Sequence, residues 1–162
     1  MVEPVNTLPF LLSTIRMLSD ARLSVWVFGG WAEELWGISA PRHHRDIDLL
    51  YPAKDFTSLD DWLAKTDGIA EIVGKRFSHK RAIAYQQVMV EFLLLEREQE
   101  VHRSNFFSGL YTLDWPGDTL RYAITIEDRP LNVASVAALR HYRQHHLQVQ
   151  QAYEMYARQH IG

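Results

Sequence analysis

Asp46 and Asp48, separated by one residue, stand in the run Arg42-His43-His44-Arg45-Asp46-Ile47-Asp48-Leu49-Leu50. On a strand alternate residues share a face, so both carboxylates point the same way while Ile47 and Leu49 enter the opposite side. Two like charges so close repel unless a cation lies between them. Hard oxygen donors at this spacing suit Mg2+, which keeps some waters and binds substrate phosphates as well. A strand end with two solvated acids is the alternative, and Asp-x-Asp alone supports both readings equally. Glu91 adds to the case. It is the single charge in the apolar run Val88-Met89-Val90-Glu91-Phe92-Leu93-Leu94-Leu95. A lone carboxylate in such a run is costly to bury unless it meets a cation or strong donors. If its strand neighbours the Asp46 strand, three carboxylates converge on one metal site. Otherwise Glu91 faces solvent at a sheet edge or pairs with an arginine such as Arg81.

Gly29 and Gly30 lie between a predicted strand and a predicted helix. Glycine permits positive φ and lets a ligand approach the backbone closely. The helix start that follows offers free N–H groups and a partial positive charge, a suitable seat for a phosphate. A simple tight turn would use the same residues. Neither the Walker pattern nor Gly-x-Gly-x-x-Gly is present.

The elements that must position these groups follow from hydrophobic spacing. Leu8, Leu11, Leu12, Ile15 and Leu18 predict a helix over 6–20. The β-branched and aromatic run 24–28 predicts a strand. Residues 31–36 predict a short helix stopped by Gly37. A loop over 38–45 leads to a strand over 46–51 that Pro52 ends. A helix over 55–66, a strand over 69–73 and an antiparallel pair over 81–86 and 88–95 follow. Residues 96–108 read as polar and irregular. Strands over 119–126 and 131–133, with a turn between them, precede two helices, 134–146 and 148–159. The sequence thus predicts an α+β fold with a mixed β-sheet flanked by helices and an α-rich C-terminal part. Residues 1–96 form the expected catalytic core. Residues 97–162 form an extension with two helices that shapes the acceptor pocket.

Composition narrows the classes. A 162-residue chain is about one domain. The absence of cysteine excludes disulfides and thiolate zinc sites. A net charge of −3 argues against a broad nucleic-acid surface. No apolar run approaches a membrane span. The opening Met1-Val2-Glu3-Pro4 carries neither a basic nor an apolar signal region. A cytoplasmic protein is the expectation, with no membrane partner.

In order along the chain, Gly29-Gly30-Trp31-Ala32 and then Arg42-x-His44-x-Asp46-x-Asp48-Leu49 resemble the polymerase-β-like nucleotidyltransferase superfamily. More narrowly, the chain is similar to the small enzymes that adenylylate aminoglycosides or lincosamides. The resemblance covers about residues 24–95. It implies a nucleotidyltransferase fold and two Mg2+ ions on Asp46, Asp48 and a third carboxylate. It also implies that Gly29 and Gly30 cradle the phosphates of a nucleoside triphosphate, ATP by analogy. Arg42 and His44 would lie near the triphosphate or the metal-bearing strand. Two positions depart from the pattern: Glu91 stands where aspartate is often the third carboxylate, and Pro41 stands where threonine is common.

The expected reaction moves a nucleoside monophosphate to a hydroxyl of a small molecule, an antibiotic by analogy. Asp46 and Asp48 would bridge the metals, and Glu91 would ligate one and take the hydroxyl proton. Arg42 would neutralise phosphate charge, whereas Arg45 reads as an exposed loop charge. His44 would orient by hydrogen bonding. Competing readings are a protein-modifying or toxin–antitoxin nucleotidyltransferase and a non-catalytic nucleotide-binding member of the fold. In the second half, Phe106, Phe107, Tyr111 and Trp115 are candidate pocket walls, or equally core. Glu96, Glu98, Glu100, Asp114 and Asp118 would line a pocket for a polycation, or else are solvated loop charges. An oligomer is compatible with Tyr153 and Tyr156 on the last helix.

Overall fold

The computed structural model describes residues 5–160. Met1–Pro4, read above as carrying no signal peptide, lies outside them, as do residues 161 and 162. Helix α1 (Leu8–Asp20) begins where Thr7 caps it, its hydroxyl accepting from the Phe10 N–H at 3.3 Å. Strand β1 (Trp26–Phe28) runs directly into α2 (Gly29–Leu35). Strand β2 (Asp46–Pro52), α3 (Thr57–Lys65) and β3 (Ile69–Glu71) follow. Strands β4 (Lys80–Tyr85) and β5 (Val88–Glu98) form a hairpin.

These strands pair in the order β1-β2-β5-β4-β3. The β2–β5 pair is parallel and the others are antiparallel, so the sheet is mixed. Ile47, Leu49, Val90 and Phe92 are almost fully buried, which fixes the register because a one-residue slip would expose them. Arg81 sits on the same face as Phe92 and reaches Asp60 of α3, while Phe10 of α1 stacks on Tyr85 at 5.6 Å. Both helices therefore cover the face opposite Glu91.

Residues 101–106, expected to be irregular, form β6 (Val101–Phe106), which pairs with the end of β5 and with β7 (Tyr111–Asp114). The polar side chains there are satisfied in place: Ser104 donates to the Leu94 carbonyl at 2.7 Å and accepts from Trp115 Nε1 at 2.9 Å. Strands β8 (Ala123–Ile126) and β9 (Arg129–Asn132) make a separate hairpin. The two expected C-terminal helices are one, α4 (Val136–His160). No glycine or proline interrupts residues 136–160, so the backbone has no reason to break there. Ser135 caps it, accepting from the Ala138 N–H at 3.0 Å. Among the described residues no helix is long and apolar enough to cross a membrane.

Candidate active site

The β2–β5 register sets Asp48 beside Glu91 and Asp46 beside Met89, so all three acids emerge on one face. One oxygen from each of Asp46, Asp48 and Glu91 lies within 4.8 Å of the others. Burial, then the charges of Asp46 and Glu91, push the Asp48 carboxyl up to about 7. Asp46 is raised by burial and by Glu91. Glu91 differs. Burial raises it, but Lys80 Nζ at 2.6 Å and Lys75 Nζ at 3.2 Å together hold it below its ordinary value. A cluster of carboxylates in which burial and mutual repulsion raise two members, and two ammonium groups hold down the third, has a donor set that suits a divalent cation. Asp46, Asp48 and Glu91 are the residues that could hold it.

Arg81, a sequence candidate for the partner of Glu91, takes no part. It points to the other face and pairs with Asp60, its guanidinium 4.4 Å above the Phe56 ring. With Lys75, Lys80 is a partner that sequence reasoning missed. Its register position, opposite Leu93, places it on the face of Glu91. Starting the predicted strand one residue earlier would have revealed it.

Gly29 packs against the carboxylate of Asp48: a Cβ there would sit 2.4 Å from Asp48 Oδ2, and its φ is +61°. The glycine is thus required by β2 itself. Gly30 is crowded by the next pair, a Cβ meeting the Arg42 guanidinium at 2.5 Å and His44 Nδ1 at 3.0 Å. Arg42 is exposed, and its backbone N–H donates to Glu34 Oε1 at 3.0 Å. His44 is buried, its Nε2 is 2.9 Å from the same Glu34 oxygen, and its ring lies 4.2 Å from Trp31. Asn6 completes this knot: its amide donates to the carbonyls of His44 and Asp46 and accepts from Trp31 Nε1. Glu34, His44, Trp31 and Asn6 therefore fix the entry to β2, and so the direction of Asp46.

Asp48 and Glu91 line a cleft of about 890 Å3 between the sheet and α4. Tyr142 of α4 faces them, its hydroxyl pushed up to about 12 by burial and by Asp48 and Glu91. Phe28 meets the Tyr142 ring edge-on at 5.2 Å, and Trp115 stacks parallel to Tyr142 while also meeting Phe28 edge-on at 5.5 Å. Phe106 and Phe107 line the cleft, whereas Trp115 and Tyr111 do not. Tyr111 instead hydrogen-bonds His145 at 2.6 Å. None of Glu96, Glu98, Glu100, Asp114 and Asp118 lines the cleft. Glu98 and Asp114 grip Arg103, Glu96 accepts from Asn105, and Asp118 accepts from Ser135.

A model of the aminoglycoside-2″-adenylyltransferase family matches residues 10–154, nearly the whole fold. The chain belongs to this family. It is a nucleotidyltransferase, as the other members are. Solved structures agree on the fold. The lincomycin-bound lincosamide antibiotic adenylyltransferase LnuA has a TM-score of 0.66 at 14% identity, covering 91% of this chain and 96% of that one. ANT(2″)-Ia in complex with adenylyl-2″-tobramycin has a TM-score of 0.60 at 18% identity, covering 94% and 88%. The solution structure of ANT(2″)-Ia has a TM-score of 0.65 at 14% identity, covering 99% and 86%. No curated sequence matches this chain significantly. Family membership thus gives the chain a reaction class.

Proposed function

We propose that the protein transfers AMP from ATP to a hydroxyl of a small antibiotic of aminoglycoside or lincosamide type. The observation that carries this reading is the meeting of Asp46, Asp48 and Glu91 within 4.8 Å beside a cleft that Asp48 and Glu91 line, in a chain of an adenylyltransferase family. Mg2+ bound by these carboxylates, two ions by analogy, would supply charge neutralisation at the attacking and leaving oxygens.

The chain's own residues do the rest. Gly29 and Gly30 bring the backbone close to the phosphates at the start of α2. Arg42, exposed beside Gly30, meets the distal phosphates. Glu91 receives the proton of the acceptor hydroxyl. The acceptor oxygen forms a bond to the α-phosphorus, the bond to the bridging oxygen breaks, and pyrophosphate leaves. Residues 97–162, through α4, close the acceptor side of the cleft.

Pyrophosphate release from ATP, Mg2+ and an antibiotic panel tests this reading. Asp46→Asn, Asp48→Asn and Glu91→Gln should each reduce turnover by about 100-fold or more while leaving the fold intact. Undiminished turnover in the Asp46 or Asp48 variant would reject the assignment.

A further inference from the structure

The cleft carries a second message, in the charges it lacks. Three acids line it: Glu33, Asp48 and Glu91. Each is already engaged. Arg143 Nη2 holds both oxygens of Glu33, at 2.7 and 2.6 Å. Lys75 and Lys80 hold Glu91. Asp48 belongs to the three-carboxylate cluster that holds Mg2+ under the nucleotidyl-transfer reading. Three basic side chains, Lys75, Lys80 and Arg143, share the same walls. Among the described residues the cleft offers no free carboxylate for an ammonium group. A polyamine entering it would give up hydration without a partner and would meet like charge.

One wall of the cleft is aromatic. Phe77 and Phe107 meet edge-on at 5.1 Å, and Tyr153 lies 5.5 Å from Phe107. This wall is built in advance. Phe107 holds a left-handed backbone at φ +53°, which a bulky residue rarely adopts, and its N–H donates to Nδ1 of the buried His79 at 3.0 Å. Burial and the charge of Lys80 depress the His79 ring to about 3, so it stays neutral and keeps that lone pair.

We propose that the acceptor taken by this cleft is a hydroxylated molecule with at most one cationic group and an apolar portion, seated on Phe77, Phe107 and Tyr153, and not a polycationic aminoglycoside. This rests on the nucleotidyl-transfer reading and narrows its acceptor. The aromatic wall supplies dispersion and ring contacts, and the polar wall presents the hydroxyl to the carboxylates.

The test compares lincomycin, with one basic amine, and the polyamine tobramycin. Each is titrated calorimetrically into the full chain loaded with Mg2+ and a non-hydrolysable ATP analogue, and scored by pyrophosphate release with ATP. Binding of the Mg2+–nucleotide alone reports separately on the nucleotidyl-transfer reading. Lincomycin should bind about tenfold more tightly than tobramycin or better. Half-exposed Tyr153 tolerates truncation, so Tyr153→Ala, checked for unchanged melting, should weaken lincomycin binding about fivefold and leave nucleotide binding within about twofold. Tobramycin binding as well as or better than lincomycin, or neither binding, overturns the proposal. So does a Tyr153→Ala defect that falls on the nucleotide instead.

Discussion

Gly29 and Asp48 are in contact across the β1–β2 pair: a Cβ on the glycine would stand 2.4 Å from Asp48 Oδ2. Gly29→Ala must therefore move the carboxylate, and it also forces a side chain into the left-handed region at φ +61°. The backbone term costs about 1–2 kcal/mol. The displacement of Asp48 costs more in rate, about 100-fold for an ångström of misplacement. The expected outcome is a folded protein with a slightly lower Tm, weakened Mg2+ binding and turnover lost out of proportion to stability. A variant as active as the parent would show that the Gly29–Asp48 contact does not position the acid.

Asp48 gives the metal-free protein a defined pH dependence. Its folded value, about 7, lies above the ordinary 3.8. Between the two the folded state binds more protons than the unfolded chain, so the contribution of Asp48 to stability falls as pH rises through that window. Asp48→Asn removes this loss. Thermal melts without metal should show the variant gaining on the parent as pH rises from about 5 to about 8. Mg2+ should raise the Tm of the parent and hardly that of the variant. A difference between the two proteins that is flat with pH would rule out a strongly raised Asp48.

The acidic face was legible because period-two alternation is strong where one side of a sheet is buried. Ile47 and Leu49 against Asp46 and Asp48, and Phe92 against Glu91, need only their own sequence to be sorted. What surrounds the face was not legible. One partner of Glu91, Lys80, depends on where β4 begins, and the other, Lys75, comes from the short helical turn over 73–75. Strand β6 reads as polar because its groups are satisfied by tertiary neighbours, such as Leu94 and Trp115 for Ser104, that no local pattern announces. The knot of Asn6, Trp31 and His44 joins residues 25 and 38 positions apart in the chain. Its members look unremarkable one at a time. Family resemblance placed His44 at the triphosphate or the strand, and the structure puts it against Glu34 beside that strand.

Lys80 and Lys75 act on Glu91 in the direction a general base would feel. They lower its proton affinity against the opposing effect of burial. Lys80→Met, with the closer partner removed, lets the Glu91 value rise. If Glu91 takes the acceptor proton, the acid limb of the kcat profile moves to higher pH in Lys80→Met, and turnover at the plateau changes less than turnover in acid. A pH–rate profile with the limb unmoved would confine Glu91 to ligating metal or to structure.

His79 predicts the opposite pH trend from Asp48. Its ring is buried, accepts from the Phe107 N–H at 3.0 Å, and is depressed to about 3 from 6.5. The unfolded chain therefore binds a proton that the folded chain refuses, and stability is lost as pH falls below about 6.5. His79→Leu removes the titrating group but leaves a buried N–H without its acceptor, at a cost of about 1–3 kcal/mol. The variant should melt lower than the parent at neutral pH, and the gap should narrow as the solution is acidified toward about pH 4, because only the parent is losing stability through this ring. Urea titrations across that range measure both quantities. A gap that widens in acid would mean that the folded protein accepts the His79 proton, and that Phe107 is held by something other than this hydrogen bond.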